Sequence, residues 1–137
     1  MSKRIEEIIS FLKTGDDVGA QLAAFDELKK CATLADLPTL IAEVKSETCG
    51  FWVRELLAEP ICELGGPSVL PDLLLAYNLN LDEGHDNDSF SSTLDDLAFT
   101  DPEGCTREID RILSAGDESI KKTARWMKEY CGLTSNS

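Results

Sequence analysis

The chain has 137 residues, 42% apolar and 28% charged, with 13 Lys and Arg against 26 Asp and Glu, for a formal net charge of −13. A domain of this length buries roughly 68% of the surface its unfolded chain would expose, enough for a core without metal or disulfide support. The acidity argues against nucleic acid and anionic membrane surfaces as partners and points to a basic protein, which such a field attracts and steers; the competing reading is that acidity only keeps the chain soluble.

Five cysteines, Cys31, Cys49, Cys62, Cys105 and Cys131, are odd in number, and no two form a CxxC. The single histidine, His85, is far from all of them in sequence. Zinc sites need ligands clustered at short spacing, so no metal is expected and the thiols read as reduced, mostly buried small hydrophobes. Behind Lys3 and Arg4 there is no apolar stretch of the kind a signal peptide carries, and the longest apolar runs, such as Leu73 to Tyr77, are too short to span a bilayer. Cytoplasmic residence is the expectation.

Helical periodicity runs along almost the whole chain. Ile5, Ile8, Ile9 and Leu12 form a stripe over 3–14, stopped by Gly15, with Asp16 and Asp17 as N-cap candidates. A second helix over 17–32 carries Val18, Leu22, Phe25 and Leu28. A third over 35–46 carries Leu37, Leu40, Ile41 and Val44, with Asp36 as its cap and Pro38 in its first turn. The fourth, 49–64, uses Val53, Leu56, Leu57, Ile61 and Leu64, and Pro60 should kink it. Gly65-Gly66-Pro67 stops and restarts the chain, and a fifth helix over 68–79 carries Leu70, Leu73, Leu74 and Tyr77. Asn80 to Asp88 reads as a polar, acidic loop. Three more helices follow: 88–99 with Phe90, Leu94, Leu97 and Ala98; Asp101-Pro102 to 115 with Ile109, Ile112 and Leu113; and 117–131 with Ile120, Ala124, Met127 and Cys131. No strand pattern occurs. Residues 1–133 read as a single domain and 134–137 as a frayed tail.

About eight helices joined tightly suggest an array. With Val53 as anchor, the equivalent positions are Val18, Phe90 and Ile120, and four residues further on lie Leu57, Leu22, Leu94 and Ala124, all apolar. Gly65 and Gly132 follow Val53 and Ile120 by twelve residues. Helix pairs at such spacing are stable only as a stack. The segment from Phe51 through Val53-Arg54, Pro60, Leu64-Gly65 and Pro71 to Leu73-Leu74 resembles the HEAT family, more closely its short bilin-lyase-like repeats. The helix around Lys121-Lys122-Thr123-Ala124 echoes the first half of that pattern. The likeness covers about residues 48–75; the first and third units lack the Val-Arg pair and the Leu-Gly ending. It implies an all-α, right-handed α-solenoid of stacked antiparallel helix pairs.

No nucleophile–base arrangement accompanies His85, and no P-loop, GxGxxG, HExxH or GxSxG occurs, so no catalytic residue and no cofactor are expected. A calcium loop starting at Asp82 fails, because Gly84 comes too early and position twelve is Thr93. The acidic loop is the longest polar break between the helices, and its Asp82, Glu83, His85, Asp86 and Asp88 are the first candidates for contacting a basic partner, against the plainer reading of a solvated loop. Trp52 and Tyr77 are interface-anchor candidates or else packing between helices, and Asp95 of the Asp95-Asp96 pair is a candidate partner-facing carboxylate.

Size, charge and repeat pattern together resemble HEAT-like immunity proteins of bacterial toxin systems. That implies a non-catalytic inhibitor whose acidic surface occludes the active site of a cognate toxin. An adaptor or assembly scaffold that takes a peptide or subunit on the concave face is the alternative. A chromophore lyase or chaperone subunit is suggested by the family name alone.

Overall fold

The computed structural model describes residues 3–133, and its elements are all helical: α1 (Lys3–Thr14), α2 (Val18–Cys31), α3 (Leu37–Val44), α4 (Phe51–Gly65), α5 (Leu70–Asp82), α6 (Asp88–Thr100), α7 (Pro102–Ala115) and α8 (Glu118–Tyr130). Short 3-10 turns at Leu34–Asp36 and Gly66–Val69 lead into α3 and α5. Among the described residues there is no strand, and no helix is long and apolar enough to cross a membrane. The expected tail at 134–137 lies outside the described residues.

Helix starts follow from capping chemistry. The Asp17 carboxylate accepts from the amides of Gly19 and Ala20 at 3.0 and 3.4 Å, Asp101 from Gly104 at 2.9 Å, and Asp117 from Ser119 at 2.9 Å. That last bond holds the Asp117 carboxyl below its usual range. Asp36, expected to cap α3, does something different. It is buried, and its Oδ2 reaches back to the amide of Thr33 at 2.8 Å, fixing the 3-10 entry one turn upstream of the helix. Pro60 lies within α4, which runs on through it to Gly65. The turn into α5 uses Gly66 at φ 62°, a left-handed conformation that suits glycine. Gly65 instead permits a close approach: a Cβ there would stand 2.2 Å from Cγ1 of Val69.

Sequential helices pack as neighbours (α1 with α2, α3 with α4, α6 with α7, α7 with α8), and next-but-one contacts join α3 to α5 and α4 to α6. A run of ion pairs links the same alternating helices: Lys13–Glu43 between α1 and α3 at 3.1 Å, Lys29–Glu59 between α2 and α4 at 3.4 Å, and Lys45–Asp72 between α3 and α5 at 2.9 Å. Their sequence separations are 30, 30 and 27 residues. The pattern shifts at the end of the chain, where α8 packs on α5. There the amide of Asn78 donates to the carbonyl of Ser119 at 2.7 Å, and the Thr123 hydroxyl donates to Asn78 Oδ1 at 2.5 Å.

One continuous core runs through all eight helices, from Ile5, Ile8 and Leu12 through Leu57, Leu73 and Leu74 to Phe90, Ile109 and Met127. Two anchors of the proposed repeat are absent from it. Val18 and Leu22 are 59% and 42% exposed, whereas Val53, Phe90 and Ile120 are buried. The inner face of α2 is Gln21, Phe25 and Leu28. Gln21 displaces the expected apolar stripe because its amide donates to the carbonyls of Leu12 at 3.1 Å and Gly15 at 2.9 Å, sealing the end of α1.

Candidate partner-binding surface

The acidic loop is shorter than its sequence suggests. Asn80, Leu81 and Asp82 complete α5, which leaves 83–87 as the connection to α6; the break 45–50 between α3 and α4 is longer. Hydrogen bonding explains why α5 continues. Asn80, polar on an otherwise apolar helix, is fully buried and pairs there with side chains from α4 and from the loop.

Arg54 organises this region. It is fully buried in α4, and its Nη1 donates to Asn80 Oδ1 at 2.9 Å and to Glu83 Oε1 at 2.8 Å. Nη2 donates to the carbonyls of Ser46 and Glu47 at 3.0 and 3.4 Å, so one guanidinium ties both inter-helix breaks to the same helix. Its Nε has no partner. Asn80 Nδ2 passes the network on to Asn87 Oδ1 at 2.7 Å, and Asn87 Nδ2 donates to the carbonyl of Tyr77 at 2.9 Å. Asn87 is buried at φ 62°, a left-handed conformation that asparagine tolerates better than most residues. With Asn87 holding the loop from within, the first turn of α6 takes its partner from another helix: the Phe90 amide donates to Glu55 Oε2 of α4 at 3.0 Å. The hydrogen bond from Arg54 also holds the Glu83 carboxyl below its usual range.

The candidate contact residues therefore divide. Asp82, Asp86 and Asp88 are exposed and form no ion pair among the described residues, and Asp86 Oδ1 accepts from the Asp88 amide at 3.3 Å. Glu83, though exposed, is committed to Arg54. His85 stacks on the ring of Phe51 at 3.6 Å between centroids and 19° between planes, and its amide donates to the Asn80 carbonyl at 3.0 Å. It braces the loop against α4. Trp52 is half-buried against the core. Tyr77 is 6% exposed, bonded to the Ser91 hydroxyl at 3.2 Å and enclosed by Phe90 and Trp126, an arrangement that matches the packing reading. Burial raises the pKa of its phenol. Asp95 and Asp96 are both exposed on α6; Asp96 faces α4, and Asp95 lies beside the Cys131 thiol.

Three cysteines, Cys49, Cys62 and Cys105, are buried as expected; Cys131 is half-buried and Cys31 exposed. Burial pushes the Cys49, Cys62 and Cys131 thiols up to about 12 and Cys105 up to about 11, so all four are protonated and poorly nucleophilic near neutral pH. Among the described residues, no group of three or more His, Cys, Asp and Glu could hold a metal ion.

Two features of the surface are not visible in helical periodicity, and the first of them is legible in composition alone. Residues 55–106 contain twelve of the 26 acidic residues and none of the 13 basic ones, so this segment carries −12 and the rest of the chain −1. Within it, Glu59 and Asp72 are neutralised by Lys29 and Lys45 from earlier helices and Glu83 by Arg54. Asp82, Asp86, Asp88, Asp95 and Asp96 have no cation partner among the described residues and lie along the end of α5, the loop and α6. The second feature is Phe99 on α6, 89% exposed and within that acidic stretch.

These observations define an all-α protein with a charge-segregated surface and a loop locked in place by a buried arginine. No protein-family model, curated protein or solved structure matches the chain.

Proposed function

We propose that this is a non-catalytic, HEAT-like binding module of the cytoplasm that inhibits one basic protein. The most concrete form is an immunity protein that covers the working face of a cognate bacterial toxin. The observation that carries this reading is the segregation of charge, with −12 of the net −13 in residues 55–106. A field of that sign and extent repels phosphate backbones and anionic lipid and draws in a cationic protein surface. The next-but-one helix contacts and the ion pairs at separations of 27–30 residues are what a stack of helical pairs needs, in keeping with the right-handed solenoid that the HEAT resemblance implies.

The inhibition would be steric and electrostatic. Asp82 ends α5, Asp86 lies in the connection and Asp88 opens α6, a turn already fixed by Arg54, Asn80 and Asn87, so a partner meets a formed surface and loses little affinity to ordering it. The test is calorimetric titration against the protein encoded by the neighbouring reading frame, at low and high salt. Tight binding that weakens steeply with salt is expected. The combined variant Asp82→Asn, Asp86→Asn and Asp88→Asn should weaken it at least about tenfold, with rim charges acting mainly on the association rate. These substitutions touch only exposed positions, so the variant stays folded. Deleting the loop would instead strip Glu83 from Arg54. Absence of binding overturns the inhibitor reading, and salt-insensitive micromolar binding to several partners points to an adaptor.

A further inference from the structure

Phe99 is the most exposed large apolar side chain among the described residues, at 89%, and it stands on a folded helix. Its neighbours one turn back on α6 are Asp95 and Asp96. Asp96 also lines a cleft of about 650 Å³ between α4 and α6, together with Glu59, Glu63, Thr93, Thr100 and Asp101 among others. Lys29 pairs with Glu59, and Asp101 is occupied capping α7, while Glu63 and Asp96 form no ion pair among the described residues. An open cleft thus presents two unneutralised carboxylates, and one of them, Asp96, stands one helical turn from an uncovered aromatic ring.

We propose that this α4–α6 face docks an arginine-bearing segment of a partner protein, with a guanidinium held between the Phe99 ring and the Asp96 carboxylate. Charge complementarity fixes the sign of the occupant. The ring then selects among cations: a guanidinium is planar, stacks on an aromatic face and spreads several N–H donors toward carboxylates, whereas an ammonium is a compact, strongly hydrated point charge. The inference rests on the basic-partner reading above and moves its anchor from the loop rim to α6.

The test is NMR titration of the full-length ¹⁵N-labelled protein with two capped hexapeptides, one alternating leucine and arginine, the other leucine and lysine. Expected are salt-sensitive shifts at the amides of Thr93, Asp96, Leu97, Phe99 and Thr100, with the arginine peptide binding more tightly. Phe99→Ala should weaken the arginine peptide about two- to fivefold and bring it level with lysine. Asp96→Asn should weaken both peptides. Circular dichroism of Phe99→Ala should match the parent, since the side chain is outside the core. Salt-sensitive shifts confined to 82–88, or arginine and lysine peptides that bind equally and ignore Phe99→Ala, overturn the α6 anchor while leaving the basic-partner reading intact. No salt-sensitive shift anywhere on the molecule with either peptide overturns both.

Discussion

Between α1 and α2 the chain turns over three residues, and the carbonyls freed at the end of α1 are taken up by the buried amide of Gln21. Between α5 and α6 it turns over five, and the equivalent work falls to Arg54, Asn80 and Asn87. Both joins bury side-chain donors and leave little main-chain polarity unpaired. They differ in charge. A neutral amide closes the first join locally, within ten residues of its partners. At the second, a fully buried cation reaches 26 and 29 residues along the chain to Asn80 and Glu83. A neutral seal fails gently, because an amide left unpaired loses one or two weak bonds. A buried cation makes its partners obligatory, because desolvating an unpaired guanidinium is far more expensive. The surface with the most unpaired carboxylates is thus held by the least replaceable contact in the molecule.

That difference is open to test, and the largest effect belongs to Arg54. Arg54→Ala should destabilise the protein by about 3–5 kcal/mol in urea denaturation, since it opens a cavity and strands the Asn80 amide oxygen and the Ser46 carbonyl. Arg54→Lys keeps the charge but not the fork, and should recover less than half of the loss. Full recovery by lysine would show that charge alone matters and would break the contrast between the joins.

Gln21→Ala should cost only about 1–2 kcal/mol by the same measurement, the value of a neutral side-chain-to-carbonyl seal. Hydrogen exchange at the start of α2 should accelerate while exchange at 83–87 stays unchanged. A loss as large as that of Arg54→Ala would place both joins in one class.

The smallest effect is the most diagnostic. Glu83 is partly exposed, so its bond to Arg54 is discounted for solvent, and Glu83→Gln should cost about 1 kcal/mol at pH 7. The Glu83 carboxyl titrates below its ordinary 4.5 in the folded protein. Its stabilisation is therefore complete above that ordinary value and is lost as pH falls through the lower folded one. Thermal unfolding curves of parent and variant should differ near neutral pH and converge as the pH drops below about 4.5. Parallel curves down to pH 3 would mean that the carboxylate contributes nothing to the lock.

The helical reading rested on short-range signals, and the structure follows it closely. Stripes such as Ile5, Ile8, Ile9 and Leu12 are buried together, and the stops at Gly15 and Gly66 fall at helix ends. Periodicity failed where a polar residue carried the inner face. Gln21 displaced Leu22, and Asn80 extended α5 into what reads as loop. Asn80 and Asn87 look like ordinary turn residues in sequence; their burial depends on a guanidinium presented by another helix. Tyr77 has the composition of an interface anchor but stands between Phe90 and Trp126. The empty stretch in the Lys and Arg pattern from 55 to 106 was readable from the start, since charge composition needs no fold.

By itself, then, the sequence determined the helical content, most of the helix ends, the chemistry of the caps and the sign of the surface, because each depends on residues within a turn or two of one another or on composition alone. The tertiary structure decided which carboxylates stay unpaired, which polar residues go inside, and that Phe99 rather than Tyr77 stands exposed. Those outcomes turn on pairings across roughly thirty residues, where the free energy of burying a charge depends on what another helix brings to meet it.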